Sequence, residues 1–127
     1  MRVEWHIQHS LREVFEPAVL KYISLLPAWC RRLEIHELDG DDALGECRVS
    51  EPYRQAALLL APRLAGCEAA LVESVIRHEF VHVLLAPLVA VAERCVVVAP
   101  EDVREWAAAC LEHAHEAVTE DIQEALK

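Results

Sequence analysis

Apolar positions change period along this chain, and the changes mark its elements. Between Ser10 and Pro27 they fall at Leu11, Val14, Phe15, Ala18, Val19, Tyr22, Ile23 and Leu26, the spacing of a helix with one buried face. Ser10 is placed to cap that helix, with Glu13 three residues on as its capping-box partner, and Pro27 ends it. The period then drops to two. "CRRLEIHEL" alternates, with Leu33 and Ile35 on one face, and reads as a strand. Asp39 to Asp42 form a turn. "ALGECRVS" is a second, weaker strand, and "YRQAALLLAP" a third whose nearly continuous apolar centre suits cover on both faces.

Helical spacing returns from Gly66 to about Ala86, through Leu71, Val72, Val75, Ile76, Glu79, Phe80, Val83 and Leu84. A loop is predicted through Pro87 and on to Pro100, with the β-prone "CVVVA" inside it as a short strand or extended segment. Pro100, Glu101 and Asp102 are helix-start chemistry, and a last helix runs to the end. Its apolar face is Val103, Trp106, Cys110, Ala114, Ala117 and Val118, with Asp121 in the middle of it and no account of why. No repeat is seen. One helix, three strands and two helices predict an α+β fold, a small antiparallel or mixed sheet packed on helices. The 127 residues suit a single domain.

Composition narrows the partners. The hydrophobic fraction of 54% favours a folded chain, and a net charge of -10 argues against nucleic acid and anionic membranes. The longest apolar run, "VLLAPLVAVA", is short for a bilayer and contains Pro87. The N-terminus lacks an uninterrupted apolar signal region. Cys30, Cys47, Cys67, Cys95 and Cys110 are odd in number and scattered, without a C-x-x-C pair. They read as reduced thiols, mostly buried, in a cytoplasmic protein.

The chemistry concentrates in "IRHEFVHVLLAP". His78 and His82 are four apart, so a helix sets both imidazoles on one face, within reach of one divalent ion. Glu79 points partly aside, where it can act on a water at the metal without being a ligand. Zinc brings the pKa of water towards roughly 7, and a carboxylate can take the proton as attack begins. A polar trio in an apolar helix is costly unless partnered. A catalytic zinc needs a third protein ligand. "VLLAPLVAV" after the motif excludes a third histidine there, and the last helix offers "CLEHAHEAVTEDI". Glu116 is favoured, because two histidines and a glutamate suit hydrolytic zinc; His113 and Glu112 remain alternatives, and Glu120 would orient an imidazole N–H.

"VIRHEFVHVLLAP" followed by "EAVTEDI" resembles the gluzincin branch of zinc metallopeptidases, most closely short, single-domain, zincin-like forms often encoded by phages and prophages. The resemblance runs from about Arg32 to Leu126, but its specific motifs are only those two helices. It implies a three-stranded sheet, His78, His82 and Glu116 as zinc ligands and Glu79 as general base. It also implies that "AALLLAP" is the edge along which an extended peptide lies. Larger gluzincins add a domain that supplies a His or Tyr to the oxyanion; here the chain ends at Lys127, which leaves Tyr53, His113 and His115 as candidates. The expectation is a zinc-dependent metallopeptidase acting on a peptide or protein substrate, latent until a partner activates it if no oxyanion donor is in place. The alternative is a catalytically weak or inactive zinc-stabilised module that binds peptide or protein. Sequence leaves the oligomeric state open.

Overall fold

A computed structural model describes residues 1–40, 42–50, 52 and 54–126. By its contacts the chain parts into two compact units, Met1–Leu84 and Leu85–Lys127. The elements in order are β1 (Arg2–His6), α1 (His9–Tyr22), β2 (Arg32–Glu37), β3 (Gly45–Ser50), β4 (Gln55–Leu60), α2 (Ala69–Val97) and α3 (Glu101–Ala125). The class is α+β, as expected. The sheet has four strands rather than three, in the order β1-β2-β4-β3.

In the first unit, β1 and β2 run parallel, joined by α1, and β2 pairs parallel with β4. Only β3 runs antiparallel, on β4, so the sheet is mixed. Alternation sends Leu33, Ile35, Leu58 and Leu60 to one face, where they meet Phe15 and Val19 of α1 and Ile76 and Phe80 of α2 in the core. Several of these side chains are fully buried. Two extra clamps tie α1 to α2. Lys21 Nζ lies 3.1 Å from Glu73 Oε1, and the Arg77 guanidinium stacks on the Tyr22 ring at 5.2 Å while Nη1 donates to the Tyr22 hydroxyl.

Several sequence expectations need correction. β1 was missed: its five residues alternate, but so short a run gives little signal without its partner. α1 begins at His9 with Gln8 at the cap position and no side-chain capping bond; Glu13 approaches His9 instead, at 3.0 Å. It ends at Tyr22 and passes through a 3-10 turn, Ile23–Leu25, before Pro27. Burial explains the third strand, β4, whose Leu58, Leu59 and Leu60 are all buried. It is an interior strand, however, flanked by β2 and β3, so the edge on that side belongs to β3. The expected Asp39–Asp42 turn includes Asp41, which lies outside the described residues.

The larger correction concerns α2, which continues through Pro87 to Val97. The predicted loop and its extended "CVVVA" are helix. At 29 residues α2 is long and apolar enough, by length and composition, to cross a membrane, because the apolar run continues through Pro87. Its first half supplies core residues to the first unit.

In the second unit the C-terminal half of α2 and α3 fold back on each other. A cleft of about 200 Å³ is lined by Leu85, Leu88 and Ala92 on one side and Leu111, Ala114 and Val118 on the other. Glu101 and Asp102 occupy the first turn of α3. The expected apolar face of α3 is exposed throughout, at Val103, Trp106, Cys110, Ala114, Ala117 and Val118. The less accessible stripe is instead Ala107, Leu111, His115 and Thr119. Asp121 is exposed as well, so its place on the expected face ceases to be anomalous.

Candidate metal centre

His78 and His82 occupy successive turns of α2, in the part locked by buried Ile76, Phe80 and Val83. Their Nε2 atoms lie 3.0 Å apart, and the rings meet edge to face with centroids 4.7 Å apart. Two imidazole nitrogens can stand that close in two ways: one donates N–H to the other's lone pair, or both lone pairs converge on a cation. Zinc–nitrogen bonds of roughly 2.0–2.1 Å put the edge of a coordination tetrahedron at about 3.3 Å. The observed 3.0 Å is the length of an ordinary N–H···N bond and lies close to the tetrahedral edge, so the pair is placed for either arrangement.

Glu79 is not a solvated glutamate. It is 8% exposed, and it points towards β3 inside the first unit. There Gly45 makes room: a Cβ on it would lie 3.3 Å from Glu79 Cγ and only 2.7 Å from Val75 Cγ1. Cys47, two residues along β3, donates its thiol hydrogen to the Glu79 carboxylate. Burial, and then the negative charge of Glu79, push the Cys47 thiol up to about 12. Immediately before the motif, Arg77 is buried. Its Nη1 donates to the Tyr22 hydroxyl at 3.0 Å, which in turn donates to Glu73. Its Nε finds no partner among the described residues.

The remaining expected residues lie on α3, in the second unit. Glu112, His113, Glu116 and Glu120 are exposed there, and His115 is half-buried. The His115 carbonyl accepts a 2.7 Å hydrogen bond from Thr119 Oγ1. Of the candidate oxyanion donors, Tyr53 lies outside the described residues. The cysteine expectation fails for most positions. Only Cys30 is buried; Cys67, Cys95 and Cys110 are exposed, and all five are free thiols.

A second group escaped the sequence reading. His6 of β1 and Glu34 and His36 of β2 bring one ligand atom each to within 4.8 Å of one another. The missed signal is a short repeat, "RVEWH" at Arg2–His6 and "RLEIH" at 32–36, thirty positions apart. The chain thus contains His/Glu groups that could hold a metal ion. No family model, curated protein or solved structure matches it.

Proposed function

We propose that the protein is a zinc-dependent hydrolase of the peptidase kind, acting in the cytoplasm on peptide or protein substrates. The observation that carries this reading is the pair of Nε2 atoms 3.0 Å apart on α2, with the buried Glu79 between them in sequence. His78 and His82 would hold the ion, and Glu116 is the proposed third ligand on the chemistry of its carboxylate. A bound zinc ion supplies Lewis acidity and a lowered pKa for water. Glu79 accepts the proton of the attacking water and returns it to the leaving amine. The proposed track for an extended substrate is the edge of β3, since β4 is already paired on both sides.

The test joins metal content to turnover. Wild-type protein should hold zinc and cut members of a peptide library. Glu79→Gln should hold zinc while losing turnover by at least about a hundredfold, the lower end of the range of roughly 10²–10⁴ for general-base catalysis. Undiminished turnover in that variant would remove Glu79 from the reaction. A second reading is favoured by one contact, the Cys47 thiol on the Glu79 carboxylate, which ties up the base. On that reading the protein is a zinc-stabilised binding module: chelation lowers its melting temperature, and no peptide is cut.

A further inference from the structure

The duplicated pentapeptide becomes a surface array once the strands pair. β1 and β2 are parallel and in matched register, Arg2 beside Arg32, Glu4 beside Glu34, His6 beside His36. Val3 and Trp5, with Leu33 and Ile35, point to the opposite face, against the core. Like residues therefore stand side by side on the outer face. Like charges in that position repel unless something lies between them. For the glutamates it is arginine. Arg2 Nη2 is 2.8 Å from Glu4 Oε1, Arg32 Nε bonds the other Glu4 oxygen, and Arg32 Nη2 reaches Glu34 Oε1 at 3.2 Å.

Among the described residues no cationic side chain serves the histidine pair in the same way. The His6 and His36 rings stack with centroids 4.7 Å apart and planes 7° from parallel. Both turn Nε2 towards one carboxylate oxygen: His6 Nε2 is 3.5 Å from Glu34 Oε1 and His36 Nε2 is 4.0 Å from it. The 3.5 Å separation lies near the edge of about 3.3 Å expected between ligands of a tetrahedral zinc ion, and His36 must move in by several tenths of an ångström to reach it. Both imidazoles are partly open to solvent, 47% and 39% exposed, so an ion can enter with water completing its shell. Two imidazoles and a carboxylate select zinc, nickel or copper over magnesium or calcium.

The geometry points to a second divalent-metal site on the outer face of the sheet, made by His6, His36 and Glu34, which binds a transition cation independently of the α2 histidines and pins β1 to β2. Arg32 competes for the same Glu34 oxygen, and its bond to Glu4 gives it another place to rest when the ion binds. The site lies wholly within the first unit and does not depend on the proposed hydrolase chemistry.

The test is a zinc titration by calorimetry in a background without the α2 pair. His78→Ala/His82→Ala protein should bind one equivalent of zinc, and adding His36→Ala should weaken that binding at least tenfold. Binding unchanged by His36→Ala, or no binding in the background variant, overturns the site. Circular dichroism checks that both variants fold. If the background variant does not, substoichiometric nickel added to the wild-type protein decides by NMR. Broadening of the His6 and His36 ring protons supports the site, and broadening confined to His78 and His82 overturns it.

Discussion

Gly45 shows how one missing methyl group positions chemistry. Its Cα lies so close to α2 that an added Cβ would sit 2.7 Å from Val75 Cγ1, and valine has few rotamers into which to retreat. Gly45→Ala should cost about 1–3 kcal/mol by overpacking, read as a shift in the urea midpoint. Adding Val75→Ala should recover part of that loss, a non-additivity that a double-mutant cycle measures. Cys47 gives the pH counterpart. Its thiol is raised from 9.0 to about 12, so the folded state keeps a proton that the unfolded chain loses. This contribution to stability is complete below pH 9 and is lost as pH rises through the window from 9 to about 12. At pH 8, alkylation should label the exposed Cys67, Cys95 and Cys110 well before Cys47. Labelling of Cys47 at the same rate would rule out the half-buried, protonated thiol.

At the scale of elements, strong periodicity was legible and its interruptions were misread. α1, β2, β4 and the motif-bearing turns of α2 follow from spacing alone, because each buries one face or both. The second half of α2 does not. Apolar residues on all sides of it erase the amphipathic stripe that marks a helix, and Pro87 and the β-branched "CVVV" argue locally against one. Pro87 still leaves a mark, since it cannot donate to the carbonyl one turn back. Pro87→Ala should therefore stabilise the protein by on the order of 1–3 kcal/mol, seen as a higher melting temperature and slower amide exchange around Val83. A lower melting temperature would mean that proline is required at this position. The candidate site was legible only where ligands share one helix, at His78 and His82. His6 and His36 come together through a parallel pairing that spacing along the chain does not encode.

For the molecule as a whole, net charge and exposed apolar surface oppose each other. The charge of -10 keeps copies apart, while the second unit exposes Leu88, Val91, Val97, Val98 and Trp106, the last two 82% and 71% exposed. Salt near 1 M shortens the screening length to about 3 Å and should promote self-association detectable by light scattering. Val98→Glu with Trp106→Gln should suppress that association and leave the melting temperature nearly unchanged, as surface substitutions do. An equal rise in scattering from the variant would exonerate this patch.

The twin pentapeptides also bear on how the chain finds its native state. Sliding β1 by two residues keeps Val3 and Trp5 facing inward and sets Arg2 beside Glu34 and Glu4 beside His36, an array of opposite charges in place of like ones. On the outer face alone the slipped pairing competes well. The correct one is selected from the inner side and from the connection, where Arg12 of α1 lies over the Trp5 ring at 5.1 Å and the Arg2 amide bonds the Arg31 carbonyl. Parallel pairing must wait for α1 to close the intervening loop, which makes it slow to form. The sheet's outer decoration thus leaves the register open, and α1, packed on the inner face, closes it.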